Sequence, residues 1–202
     1  MARYTGPRVR ISRRFGVPIF GASKYLERRN FPPGVHGPKF RRKVSEYGAG
    51  LLEKQKLRFF YGLLERQFRN VYERALRMRG VTGEKMLQIL ETRLDNLIYQ
   101  SGFAITRAAA RQLVTHGHVK VNGRKVNVPS FAVKVNDVFQ IREHPKSRAI
   151  AQKNLEGSTA RIVPDWVTLD RENLKASLLR IPSRDEIKPI ANEQAVVEFY
   201  SR

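Results

Sequence analysis

Between residues 45 and 100 the apolar positions recur at spacings of three and four, the repeat of one face of an α-helix. Leu51, Leu52, Phe59, Phe60, Leu63, Leu64, Phe68, Val71, Tyr72, Ala75 and Leu76 make one stripe, and most of the cations stand off it. Gly62 interrupts the run and predicts two helices rather than one. Ser45 is placed to cap the first, with Glu46 near its positive end. Gly80 ends the second. Thr82 caps a third helix over about 83–100, whose stripe is Met86, Leu87, Leu90, Leu94, Leu97 and Ile98. These positions predict a core and need no cofactor to explain them.

The period then changes. Gly102 closes the third helix, Thr106 caps a short fourth one and Gly117 stops it. Val119, Val121, Val126 and Val128 alternate with polar residues around Asn122-Gly123, the pair that suits the two positive-φ positions of a tight type I′ turn. Pro129 and the Asn136-Asp137 turn bracket a return to a strand at 138–141. Beyond His144 the signals weaken to a helix over 146–156 and short strands at 166–169 and 175–180. Residues 192–200 are ambiguous, because Asn192 is a fair helix cap while Val196-Val197 and Phe199-Tyr200 suit a strand. Gly6-Pro7, Gly16, Pro18, Gly21, Pro32-Pro33-Gly34 and Gly37-Pro38 punctuate the first 44 residues. They leave no room for a useful helix except at 23–29.

Charge changes this picture most. The formal net charge is +21 over 202 residues, an excess that suits a polyanion binder better than an ordinary globular enzyme. Residues 1–45 carry about half of it, with Glu27 their single acid. Arginines there alternate with Tyr4, Phe15, Phe20, Tyr25, Phe31 and Phe40, which reads as an arm that orders on RNA rather than a plain disordered tail. Gly and Pro deny that segment the continuous apolar face of a membrane helix, and no apolar run approaches the ~20 residues of a membrane span. There are no cysteines, hence no disulfides, thiolate zinc sites or cysteine nucleophiles. The cytosol is the default location, and an organellar origin stays open.

Residues 93–141 hold the densest candidate chemistry. Arg107 and Arg111 stand one helical turn apart and share a face. His116, His118, Lys120, Asn122, Arg124 and Lys125 follow on the turn and hairpin, so a row of donors covers one small surface. Arg93 and Asp95 pair internally or leave Arg93 to RNA; both readings stand. His116 and His118 lack a third ligand nearby, which argues against a metal. Further RNA-contact candidates are Arg3, Arg8, Arg10, Arg13, Arg14, Arg28, Arg29, Arg41, Arg42 and Lys43 in the arm. Lys54, Lys56, Arg58, Arg66 and Arg69 on the first two helices join them, although part of that set forms a solvated face.

Segment 93–141 resembles the small RNA-binding domain first defined in bacterial small-subunit ribosomal protein four. The resemblance extends collinearly over essentially the whole chain. Tyr4-Thr-Gly-Pro7 with Arg13-Arg14, the Phe31-Pro-Pro-Gly-Val-His-Gly37 turn, Glu53-Lys-Gln-Lys-Leu-Arg58, Tyr61-Gly62 and Glu65-Arg-Gln-Phe68 look like that family. So do Asn192-Glu-Gln194 and Glu198-Phe-Tyr-Ser-Arg202. The resemblance implies an α+β protein: a mainly helical domain, an inserted RNA-binding domain of two helices plus a hairpin and short sheet (an alpha-L-like motif), and a basic extended arm. The divisions expected are an arm at 1–44, a helical domain at 45–91 completed by 186–202, and an RNA-binding domain at 92–185 with its core at 93–141. It also implies a primary binder of small-subunit ribosomal RNA that grips a helix junction of the 5′ domain and nucleates assembly of the subunit body. Such a protein adjoins ribosomal protein five and the messenger RNA entry path, where it affects decoding accuracy.

This chain departs from the family's pattern in three places. Many relatives have a four-cysteine zinc site in the arm; this chain has no cysteine, so no zinc or other cofactor is expected. Thr106 stands where Ser is frequent, and Thr also caps. Gln100 stands where many relatives carry Arg, so one phosphate contact is in doubt.

Enzymatic readings fare poorly. Arg93-Leu-Asp95 matches part of the Gly-Arg-Leu-Asp loop of RNA pseudouridine synthases, but Thr92 replaces the Gly and the triplet falls inside a helical repeat. No phosphate-binding Gly-Lys loop, paired-histidine zinc motif or Gly-X-Ser-X-Gly elbow occurs. The competing readings are a non-ribosomal RNA-binding factor or chaperone carrying the same module, and a non-specific DNA-compacting protein. If the arginine face contacts phosphate, joint replacement of Arg107 and Arg111 by Ala weakens RNA binding and leaves the circular-dichroism helical signal intact. Loss of that signal would make the pair structural.

Overall fold

The computed structural model describes residues 4–21, 23–39, 43–157 and 162–201. The chain divides into two compact units, one of Met1–Leu87 with Lys188–Arg202 and one of Gln88–Ile187.

The first unit is helical. It contains α1 (Arg8–Phe15), α2 (Lys24–Arg28), α3 (Glu46–Phe60), α4 (Glu65–Leu76), the first part of α5 (Thr82–Glu91) and the C-terminal helix, here α9 (Glu193–Ser201). Helix α1 is a correction to the expectation of an arm without a useful helix. Pro7 sits at its N-cap and Gly16, at φ +68°, closes it. The two residues read as breakers therefore frame an uninterrupted helix. Tyr4, Phe15 and Phe20 gather around Phe59 of α3, with ring centroids 5.1, 6.4 and 6.2 Å away. The Ser45 oxygen accepts from the Gly48 amide as the expected cap of α3, and Gly62, at φ +66°, makes the break before α4.

The ambiguous C-terminal segment is a helix capped by Asn192, whose side-chain oxygen accepts from the amides of Gln194 and Ala195. Helix α9 packs along α3, and glycines make the close approach possible. A Cβ at Gly50 would lie 3.3 Å from Phe199, and one at Gly83 would lie 3.0 Å from Glu193. Tyr200 stacks on Tyr72 at 4.8 Å and lies 6.1 Å from Phe68. Its hydroxyl donates to Glu65 at 2.8 Å, and the Lys54 ammonium reaches the same Glu65 oxygen at 2.7 Å. One carboxylate thus joins α3, α4 and α9. A second, Glu53, accepts from the Asn192 amide at 2.9 Å.

The second unit is an antiparallel sheet with helices. Its helices are α6 (Leu94–Gln100), α7 (Arg107–Thr115) and α8 (Pro145–Gly157). Its strands are β1 (Val119–Val121), β2 (Arg124–Lys125), β3 (Val138–Ile141), β4 (Val167–Asp170) and β5 (Lys175–Leu178), in the order β2-β1-β3-β5-β4. Asn122 and Gly123 have φ of +48° and +79°, the signs that the expected turn requires. Alternation puts Val119, Val121, Phe139, Ile141, Ala176 and Leu178 into one core with Leu94, Leu97, Ile98, Ala110, Leu113 and Val114.

The single helix expected over 83–100 is two, because the backbone at 92–94 pairs elsewhere. The Val133 amide donates to the Thr92 carbonyl at 3.0 Å and the Leu94 amide to the Phe131 carbonyl at 2.9 Å. Thr92 turns its hydroxyl back onto the Gln88 carbonyl at 2.8 Å, closing α5, and Arg93 takes extended angles ahead of α6.

Phe68 is fully buried, so Phe68→Ala costs about 3–5 kcal/mol and lowers the urea midpoint followed by helical signal. Burial alone would raise the Glu65 carboxyl, but hydrogen bonds from Lys54 and Tyr200 hold it below its ordinary 4.5. Its stabilising contribution is complete above the unfolded value and lost as pH falls through the folded one. The stability difference between wild type and Glu65→Gln is therefore largest near neutrality and shrinks in acid, read from urea titrations at several pH values.

Candidate nucleic-acid interface

In the second unit the candidate surface is built on α7 and the β1–β2 hairpin. The Thr106 hydroxyl accepts from the Ala109 amide at 3.2 Å, which fixes the start of α7. Arg107 is held from below. Its Nε donates to the Asn96 oxygen at 3.0 Å, and its guanidinium lies 4.4 Å from the Tyr99 ring centroid. Asn96 is buried and donates to Glu91 at 2.8 Å, and Gln100 donates to the same carboxylate oxygen. That partnership orients the Asn96 amide so that its oxygen faces Arg107. Gln100, the departure from the family pattern, is thus part of an inward polar network. Arg111 is one turn further and half-buried.

His116 is exposed, and its ring lies 6.1 Å from that of His118. His118 Nδ1 is 2.9 Å from the hydroxyl of buried Ser147. Burial first, then the positive neighbours His116, His144, Arg142 and Lys125, hold the His118 ring below its ordinary value. His118 is a neutral hydrogen-bonding group near pH 7, not a fixed charge. Among the described residues no three His, Cys, Asp or Glu side chains gather as metal ligands.

The hairpin carries Lys120 half-buried and Arg124 and Lys125 exposed. Asn122 is occupied by the fold: its amide donates to Asp137 at 2.8 Å and its oxygen accepts from the Val138 amide at 2.9 Å. Strand register adds side chains that spacing alone could not find. Lys125 stands opposite Lys120, Lys120 opposite Gln140 and Gln140 opposite Lys175. Four strands thus align three lysines and a glutamine on the face away from the core. Lysines placed directly opposite one another repel unless an anion lies over them.

Two RNA-contact candidates are turned inward. Arg93 and Asp95 are both buried and form a two-point ion pair at 2.9 and 2.6 Å. A cation so buried is stable only with such a partner. Both Asp95 oxygens being engaged, the Arg-Leu-Asp triplet offers no exposed carboxylate. Lys54 is buried in the first unit against Glu65, with its ammonium 4.9 Å from the Phe199 ring and 5.5 Å from the Tyr200 ring.

The remaining candidates in the first unit face outward to differing degrees. Arg8, Arg10 and Arg14 of α1 are exposed, as are Arg28, Arg29, Lys43, Arg66 and Arg69. Arg13 is half-buried, donates from Nε to the Arg29 carbonyl at 3.1 Å and lies 5.0 Å from the Phe31 ring. Lys56 pairs with Glu53 at 2.5 Å, and Arg69 with Glu73 at 3.3 Å. Arg58 donates to Gln55 at 2.8 Å and lies over Phe59. Arg3, Arg41 and Arg42 lie outside the described residues.

Comparison with known proteins gives these surfaces a family. Residues 3–91 match the ribosomal protein S4/S9 N-terminal domain, and residues 92–139 match the S4 domain. The chain is 57% identical over 202 residues to small ribosomal subunit protein uS4 of Opitutus terrae, with the whole of both chains covered. The proteins of the same name from Akkermansia muciniphila and Parabacteroides distasonis are 54% and 50% identical, again over the full length of both chains. A helical first unit, an outward-facing cationic hairpin beside α7 and full-length identity at this level lead to one assignment: the chain belongs to the uS4 family of small ribosomal subunit proteins.

Proposed function

We propose that this chain, a ribosomal protein of the small subunit and not an enzyme, is a primary binder of small-subunit ribosomal RNA. In this reading it grips a helix junction of the 5′ domain and nucleates assembly of the subunit body in the cytoplasmic ribosome. It adjoins ribosomal protein five and the messenger entry path, where it contributes to decoding accuracy.

The observation that carries the reading is the outward cationic surface of α7 and the hairpin, with Arg107 held by Asn96 and Tyr99 beneath it. Arg107, Arg111, Lys120, Arg124 and Lys125 supply donors to phosphate, and His116 and His118 supply further hydrogen bonds. The exposed arginines of α1 and α2 add a second set in the other unit. Arg93 and Lys54 serve the fold rather than the RNA. Side chains cannot enter the deep groove of A-form RNA, so recognition rests on the shape of the junction and its backbone.

Filter binding to 5′-domain RNA at physiological salt, with unrelated RNA and duplex DNA as competitors, tests the proposal. The 5′-domain RNA competes far better than either. Equal competition by all three would sink it, and preference for RNA without preference for the 5′ domain would favour a general RNA-binding factor. If about 6–10 phosphates are neutralised, affinity drops roughly 10³–10⁵-fold between 50 and 200 mM salt on a duplex-like charge density, less on single strands.

A further inference from the structure

Among the described residues, the aromatic side chains of the first unit's N-terminal part have ring or cation partners, Tyr25 excepted. Tyr4, Phe15 and Phe20 pack around Phe59, and Phe31 takes the Arg13 guanidinium. Tyr25 on α2 is 60% exposed, and among the described residues no ring lies against it. A single exposed aromatic is common and needs no explanation by itself. The surroundings of this one are particular. It borders a hollow of about 280 Å³ lined otherwise by Val9, Arg13, Arg28 and Arg29. The hollow is therefore lined by one aromatic ring, one aliphatic side chain and three arginines. Glu27, the acid on the same helix, does not line it.

We propose that this hollow seats one unpaired nucleotide of the RNA, its base stacked on Tyr25 and its phosphate held by Arg28 and Arg29. An aromatic face and a guanidinium edge match the two chemically distinct parts of a nucleotide. Neither matches a peptide or a lipid surface as well, because the first would need acids at each arginine and the second a wider apolar patch. The base must be unpaired, since a duplex covers its base faces by stacking. Arg13 sets the geometry. Its Nε bond to the Arg29 carbonyl ties α1 to the end of α2, and its guanidinium lies over Phe31, which leaves Arg28 and Arg29 to take the phosphate.

The inference rests on the reading of this chain as an RNA binder, and the test separates the two. Full-length wild type, Tyr25→Ala, Tyr25→Phe and Arg28→Ala are titrated by filter binding against 5′-domain RNA and against a blunt RNA duplex, across a salt series. Stacking on a base is worth enough that Tyr25→Ala binds the 5′-domain RNA roughly 5- to 150-fold more weakly. Its salt slope stays at the wild-type value, because no phosphate contact is lost. Tyr25→Phe binds like wild type, and Arg28→Ala lowers the salt slope by about one. On the blunt duplex, which offers no unpaired base, Tyr25→Ala and wild type bind equally. Wild-type affinity in Tyr25→Ala with helical signal intact would overturn the seat, as would an equal loss on the duplex or a loss in Tyr25→Phe as large as in Tyr25→Ala. Failure of wild type to prefer the 5′-domain RNA would instead overturn the ribosomal reading, and the ratio of variant to wild type would still decide the seat.

Discussion

Thirty-nine cationic side chains and eighteen acids must fold together in this chain, so mutual repulsion is the constraint that every other feature answers. A protein so charged gains stability by placing its few carboxylates where each engages several segments. Glu65 does this in the helical unit, drawing Lys54 from α3 and Tyr200 from α9 onto one oxygen. Glu53 takes both Lys56 and the amide that begins α9. In the other unit Asp95 neutralises buried Arg93, and Arg180 pairs in two-point fashion with Glu186, whose carboxyl is held at about 2. Acids placed in this way leave the arginines of α1, α2 and α7 facing outward in numbers only a polyanion would tolerate.

How much of this could be read from the chain depended on range. Features set within four residues were legible: the Ser45 and Thr106 caps, the Gly62 break and the Asn122-Gly123 turn. The arm helix escapes a local reading because Pro7 and Gly16 are breakers by type, although eight residues lie between them and the two mark its ends. The break between α5 and α6 could not be seen locally, since the apolar stripe runs through it and its cause is pairing with residues 131–133. Likewise the ambiguity of Val196-Val197 and Phe199-Tyr200 is settled by the seat on α3 and not by propensity, where β-branched and aromatic residues favour a strand.

The candidate interface divides along the same line. Residue type and spacing put Arg107 and Arg111 on one face of α7, because a cation one turn from another shares its face wherever the helix goes. They do not tell an outward lysine from one facing an acid across a helix pair, so Lys54 reads as an RNA contact although it meets Glu65, and spacing alone leaves Arg93 open between RNA and its neighbour Asp95. They also could not find Lys175, which joins Lys120 and Lys125 only through strand register. Beneath Arg107, Glu91 and Asn96 are buried and bonded to each other, and half-buried Gln100 donates to the same carboxylate. This network makes the aim of the arginine a property of the core.

The close seat of α9 over Gly50 and Gly83 has a consequence for the order in which the protein can be made. The helical unit takes its last component from residues 193–201, while the sheet-bearing unit uses only residues 88–187. During synthesis the sheet-bearing unit has its complete sequence first, although the helical unit began earlier. Until α9 emerges, Tyr72 and the Lys54–Glu65 pair lack their Tyr200 contacts, and the helical unit waits incomplete. Closure of the helical unit thus waits on residues 193–201, the reverse of the usual amino-to-carboxyl sequence in which domains close.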